Sequence, residues 1–218
     1  MYSKYGYQTH QLLTRNINPM SSKNKTKPSV FIIESLKFED EEKDNFEGQI
    51  ISRILKMSGI EHKYFYIRTG NELQVLLEKF CALNYRYLHI SCHGNSELIC
   101  TTLDEIRFAP LAELLDNNLY QKRLFLSACL SANEQLADAV FKRTGCYSLI
   151  GSHKKIRIDD AAIFWASFYQ RMFRQNPRAM KLDVIKPTLQ QLVDVHKVPI
   201  RYFTTKKNKR GWEEIKLT

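Results

Sequence analysis

The chain reads as an α/β protein built on a mostly parallel sheet with helices on both faces. Three observations predict this. Short apolar runs, among them Val30-Phe-Ile-Ile-Glu34 and Tyr87-Leu-His-Ile-Ser-Cys92, alternate with segments whose apolar residues recur at helical spacing. The runs are continuous rather than alternating, as in strands covered on both faces. Two of them end in chemically capable residues, His93 and Cys129, the position where α/β sheets carry their active groups.

Residues 1–29 are polar, show no sustained period and read as an N-terminal arm, leaving 30–218 as the domain. Val30–Glu34 is the first strand, followed by an acidic loop from Glu39 to Asp44. Phe46, Ile50, Ile51, Ile54 and Leu55 mark a helix that stops at Gly59. His62–Ile67 is β-rich. Asn71 is the expected cap of a helix carrying Leu73, Leu76, Leu77 and Phe80.

The strand over 85–92 leads to His93-Gly94. A hairpin is expected between Leu98 and Phe108, then a short helix over 110–115 and a strand over 123–128 that runs into Cys129. Ser131 or Asn133 is the expected cap of a helix with Leu136, Val140 and Phe141 that closes at Gly145. Tyr147–Ile150 is a strand ending in Gly151-Ser152. Asp159 or Asp160 is the expected cap of an apolar helix with Phe164, Phe168 and Met172, and a further helix is expected over 189–195. Pro199–Phe203 and Gly211–Ile215 pair as a hairpin.

With 44% hydrophobic and 11% aromatic residues, the 218-residue chain can bury a sizeable core. Its apolar runs fall well short of the roughly 18 residues needed to cross a membrane, and the N-terminus lacks the apolar region of a signal peptide. The five cysteines are odd in number and lack short paired spacing, which argues against a disulfide framework. A cytoplasmic protein without a membrane partner is the expectation. The net charge of +10 raises the question of nucleic acid. The basic clusters at Lys23–Lys27, Lys154–Arg157 and Lys206–Arg210 come without zinc-finger spacing or an aromatic RNA-binding segment, so they read as solvated surface and direct nucleic-acid binding is not expected.

If the two strands are neighbours, an imidazole and a thiol meet at one sheet edge, the arrangement of a cysteine hydrolase. A free thiol with a pKa near 8.5 is mostly protonated at neutral pH, and a nearby imidazole and helix N-terminus favour the thiolate. Gly94 has no Cβ, so its N–H can approach a developing oxyanion, with the Cys129 N–H as second donor. Taken singly, His93 and Cys129 are equally well ordinary strand-end residues. A metal site fits poorly, because strand alternation sends Cys92 to the face opposite His89, Ser91 and His93.

The segments His89-Ile-Ser-Cys-His-Gly94 and Leu124-Phe-Leu-Ser-Ala-Cys129, continued by Leu136–Ser152 and Asp159–Tyr169, resemble the CHAT domains. These are caspase-like peptidases of the clan that also contains caspases and separase. The resemblance covers about residues 85–175. It implies a caspase-like three-layer sandwich, His93 as catalytic histidine, Cys129 as nucleophile, Gly94 as oxyanion donor, and neither cofactor nor metal. The partners it implies are a protein substrate and a regulatory or sensor protein, in a prokaryotic defence (antiviral) or death pathway. Members commonly carry Glu-Thr/Ser-Gly after the cysteine, where this chain has Leu130-Ser-Ala-Asn133.

Relatives in this clan select Arg, Lys or Asp through a charged pocket. Glu34, Asp159 and Asp160 are the carboxylates proposed for such a pocket, although the aspartates serve equally as helix caps and Glu34 as a loop charge. A catalytically silent caspase-like scaffold that binds a partner is the alternative reading.

Overall fold

The computed structural model describes residues 26–206 and 211–217. Its centre is a seven-stranded sheet made of β1 (Lys27–Glu34), β2 (His62–Tyr66), β3 (Tyr85–Ser91), β7 (Arg123–Ser127), β8 (Ser148–Ser152), β9 (Ile200–Thr205) and β10 (Trp212–Ile215). The order is β10-β9-β8-β7-β3-β1-β2, and β9 alone runs against the rest. Between β3 and β7 a small antiparallel sheet forms from β4 (His93–Gly94), β5 (Leu98–Cys100) and β6 (Glu105–Arg107).

Alternate residues of each strand face opposite layers. Phe31, Ile33, Leu88, Leu124 and Leu126 pack against α3 (Gly70–Ala82), α4 (Phe108–Leu115) and α5 (Glu134–Arg143). Val30, Ile32, Tyr87, Phe125 and Ile150 pack against α2 (Glu47–Met57), α6 (Ile158–Gln175) and α7 (Leu182–His196). The second layer is unusually aromatic. Phe125 meets Trp165, Phe168 and Tyr169 with ring centroids 5.5–5.8 Å apart, the edge-on and tilted contacts that aromatic quadrupoles favour. The predicted α/β class and the helices on both faces are therefore what the chain forms. Among the described residues no helix is long and apolar enough to cross a membrane.

Several local expectations are corrected. β1 begins at Lys27, three residues before the expected domain start, because Lys27 N–H already bonds Asn84 O; residues 1–25 of the expected arm lie outside the described residues. The acidic segment is not all loop, since Phe38–Glu41 forms the short helix α1. Thr69, not Asn71, caps α3. Its side chain accepts from Glu72 N–H while the Glu72 carboxylate accepts from Thr69 N–H, a reciprocal capping box.

Asn133 caps α5 as expected. Asp159 and Asp160 do not cap α6. They lie in its first turn, where carboxylates suit the helix dipole, and Arg157 takes the cap position. The helix expected over 189–195 starts at Leu182 and carries Pro187 within its second turn.

β7 and β8 approach closely at Gly151. A Cβ on Gly151 would sit 2.4 Å from the Leu126 carbonyl oxygen and 3.2 Å from the Ala132 Cβ, so only glycine lets these strands close. We expect Gly151→Ala to cost about 1–3 kcal/mol through forced backbone displacement, and Phe125→Ala about 3–5 kcal/mol through the cavity it leaves. Urea denaturation followed by circular dichroism measures both; unchanged midpoints would contradict this packing.

Candidate active site

The chain steps from β1 to β2 on one side, crosses back through α3 to β3 on the other side of β1, and then builds outward to β7 and β8. The crevice at this switch point, beyond the carboxyl ends of the strands, is where α/β sheets place ligands. Here it holds a cavity of about 70 Å³ lined by residues of five segments, including Glu47, Ser91, His93, Ser127 and Cys129. The parallel pair β3–β7 runs in register with Ser91 opposite Ser127. The next pairing step, Cys92 N–H to Ser127 O at 3.0 Å, carries both strands to the cavity rim, so His93 and Cys129 line one site.

His93 is held by a residue of α1. Its Nε2 lies 2.7 Å from Asp40 Oδ2, a contact that sequence reading did not anticipate. With an aspartate as acceptor, Nε2 carries the proton and donates, which leaves Nδ1 as the other imidazole nitrogen for chemistry. Asp40 is fixed in turn by Asn45 Nδ2 at 3.1 Å. Burial pushes the Asp40 carboxyl up, but the hydrogen bonds from Asn45 and His93 outweigh it and hold the group below its ordinary value. α1 itself is pinned to the end of β2, where Glu41 binds Arg68 and the Tyr66 hydroxyl.

Cys129 stands at a sharp turn. Leu130 adopts the left-handed conformation with φ of 62°, which costs a residue with a Cβ roughly 1–2 kcal/mol. Leu130 N–H to Lys154 O, Asn133 Nδ2 to Leu130 O and Ser131 Oγ to Ala128 O hold it there. Such strain, over-determined by its surroundings, is typical of functional positions. The thiol contacts the backbone of Ile156, whose N–H donates to Sγ at 3.4 Å. α5 begins only at Glu134, so this N–H, rather than the expected helix N-terminus, is the donor at the sulfur.

Gly94 packs against the cysteine segment. A Cβ there would meet Ala128 Cβ and Leu98 O at 3.1 Å and Cys129 O at 3.4 Å, so glycine permits the close approach of the two backbones.

The three proposed pocket carboxylates do not line the cavity, and the physical reasons differ. Glu34 is buried beneath the N-terminus of α2, where Gly48 N–H, Gln49 N–H and the Tyr64 hydroxyl donate to it at 2.6, 3.2 and 2.8 Å. It therefore does the work of a helix cap from a neighbouring strand. Asp159 and Asp160 are exposed and pair with Arg157.

The carboxylate that does reach the cavity is Glu47, in the first turn of α2 and 4% exposed. Its Oε2 accepts from Ser91 Oγ at 3.0 Å and Ser127 Oγ at 2.9 Å. The Lys154–Arg157 cluster forms the loop against Cys129, while residues 23–25 and 207–210 of the other two basic clusters lie outside the described residues.

No family model matches the chain, and neither does any curated protein sequence. Solved structures do match in fold. A secreted C11 cysteine protease from Bacteroides thetaiotaomicron superposes with a TM-score of 0.54 at 13% identity, over 82% of this chain and 66% of that one. The Arg-specific cysteine proteinase gingipain R gives 0.53 at 14% identity, over 78% and 43%. Caspase-1 from Spodoptera frugiperda gives 0.52 at 11% identity, over 95% and 92%. The chain thus spans less than two thirds of the Bacteroides and gingipain chains. At these identities the likeness shows the fold, which is caspase-like.

Burial raises the Glu34 carboxyl to about 7 against the opposing hydrogen bonds of Gly48, Tyr64 and Gln49. The folded state then holds this proton more tightly than the unfolded chain, so the Glu34 contribution is intact below the ordinary glutamate pKa of about 4.3 and is lost as pH rises through about 7. Glu34→Gln should remove that loss: relative to wild type, the variant gains stability between pH 5 and pH 8 in urea titrations. A wild-type-minus-variant difference that does not change with pH would contradict the burial account.

Proposed function

We propose that this protein is a cysteine endopeptidase with Cys129 as nucleophile, His93 as general acid and base, and Asp40 as the residue that positions His93. The observation that carries the reading is the 2.7 Å His93–Asp40 contact on the rim of the cavity that Cys129 also lines. An oriented base beside a nucleophile is the geometry on which covalent acyl transfer depends.

The chemistry follows from the parts. The Cys129 thiolate adds to the carbonyl carbon of a peptide bond, and the carbonyl oxygen takes the electron pair. The Gly94 and Cys129 N–H groups are the proposed donors to that oxyanion. As the tetrahedral centre collapses, the C–N bond breaks and imidazolium His93 gives its proton to the leaving amine. The thioester that remains is attacked by water, His93 removing the water proton, and Cys129 is released as thiolate. Asp40 stays ionised and stabilises the imidazolium through Nε2.

The CHAT resemblance and the caspase-like fold support the finer parts of the proposal: one specific protein as substrate, a regulatory or sensor partner, and a place in prokaryotic antiviral defence or cell death. The five unpaired cysteines suit a reducing cytoplasm. One observation favours the silent scaffold as second reading, since the backbone of Ile156 lies against Sγ and a substrate has to displace it.

Cys129→Ala and His93→Ala should each lower kcat/KM on a cleaved peptide by roughly 10³-fold or more. Asp40→Ala should lower kcat by about 10²-fold with KM unchanged, and Asp40→Glu should recover part of it, as expected of a positioning residue and not of one that binds substrate. Steady-state kinetics on a fluorogenic peptide mixture read all four variants. Turnover that survives Cys129→Ala would contradict the peptidase reading. Wild-type protein that turns over no peptide and whose Cys129 resists a thiol-reactive peptide would favour the scaffold.

A further inference from the structure

We infer that the cavity beside Cys129 takes the side chain of a lysine at P1, the residue whose carbonyl is attacked, with Glu47 as its anionic floor. The inference rests on the peptidase reading for the meaning of P1, but the pocket itself is argued from its own atoms.

Glu47 is almost fully buried, and its two oxygens differ. Oε2 accepts the Ser91 and Ser127 hydroxyl protons, whereas Oε1 has no hydrogen-bond partner. Among the described residues no lysine or arginine pairs with Glu47. Its one ion-pair neighbour among the described residues is His89 Nε2 at 3.5 Å, beyond good hydrogen-bond reach and also unpartnered; Glu34, Cys92 and Tyr169 lie within electrostatic range but offer Oε1 no donor. His89 is enclosed by the Trp165 and Tyr169 rings, and its Nδ1 bonds the Tyr169 hydroxyl. A buried acceptor left open in this way costs stability unless a donor arrives. Glu47 lines the same cavity as Cys129, and that cavity is the inferred route by which a donor reaches Oε1.

Size and wall chemistry select the donor. At about 70 Å³ the cavity is small, and Leu36, Ile156, Ile158 and Ala161 give it apolar walls suited to a methylene stem. A lysine ammonium has three donors on a compact centre. They match Oε1 and the lone pairs that Ser91 Oγ and Ser127 Oγ keep after donating to Oε2.

An arginine fork binds best to both oxygens of one carboxylate, and here Oε2 is already engaged by two hydroxyls. An apolar P1 side chain would leave Oε1 buried and unpaired, and an acidic one would face Glu47. The hydrogen-bonded floor thus discriminates against isosteres that lack the ammonium.

The test uses peptide acyloxymethyl ketones identical except at P1, which is Lys, Arg, norleucine or Asp, with Cys129 modification timed by intact mass. The Lys probe should react about tenfold faster than Arg and roughly 100-fold faster than norleucine, with Asp slowest. Glu47→Gln should collapse the Lys-to-norleucine ratio toward one. Equal or faster reaction of the Arg or norleucine probe overturns the assignment, as does a ratio unmoved in Glu47→Gln; that last result would mean His89 already satisfies Glu47.

A second measurement separates this failure from failure of the peptidase reading. In Cys129→Ala, Nα-acetyl-lysinamide should raise Tm more than Nα-acetyl-argininamide does, and the shift should vanish in the Cys129→Ala/Glu47→Gln double variant. If no probe modifies Cys129 but this shift appears, the pocket stands and the peptidase reading falls. No lysine-specific shift together with no lysine preference overturns the pocket. Should Glu47→Gln fail to fold, the wild-type probe series decides alone.

Discussion

The site depends on one constraint, the register of β3 against β7. With Ser91 opposite Ser127, two hydroxyls converge on a single carboxylate oxygen of Glu47, and the residues two further along, His93 and Cys129, reach the same rim. Side chains alternate along a strand, so a slip of one residue in either strand would turn that strand's serine away and put Cys92 or Ala128 in its place. The apolar faces guard against that slip. Leu88, Leu124 and Leu126 belong to one layer and Tyr87 and Phe125 to the other, and the set carried by the slipping strand would be exchanged by it.

The N-terminus of α2 is the second organising feature, and it separates two glutamates with opposite roles. Glu34 lies beneath the helix and takes its free N–H groups, so its oxygens are spent on the backbone. Glu47, in the first turn, points over the sheet edge into the crevice. Gly48 allows both. A Cβ there would lie 3.1 Å from the Glu34 carboxyl and from Ile32, and the helix could not settle so close to β1. The structure thus uses one carboxylate to build the helix end and a second, a residue away from that end, to face the cavity.

These same elements show what was legible in the sequence. The strands were, because runs such as Val30–Ile33 and Leu124–Leu126 are covered on both faces and leave a continuous apolar trace. The placing of His93 and Cys129 beside one crevice was, because they stand where such runs end. Asp40 and Glu47 were not. They belong to a segment with Glu39, Glu41, Glu42 and Asp44, where neighbouring carboxylates look alike until the fold turns Asp40 toward His93 and Glu47 toward the serines. Glu34 misled for the converse reason: a charge at a strand end resembles a pocket floor until the next helix docks on it. The Thr69-Gly-Asn-Glu72 spacing did announce its capping box, and Asn71 was a weaker choice than the motif warranted.

The central claim is that Cys129 is chemically distinct because His93 and the Ile156 N–H surround it, and not merely because it is accessible. Five free thiols make a direct comparison possible, since Cys81 is exposed while Cys129 is only partly so. The measurement is the site-resolved rate of alkylation by a peptide carrying an electrophilic ketone, mapped by mass spectrometry in wild type and His93→Ala. The account predicts that Cys129 reacts first, ahead of Cys81, and that this lead disappears in His93→Ala. Reaction at Cys81 first, with no effect of His93, would contradict it.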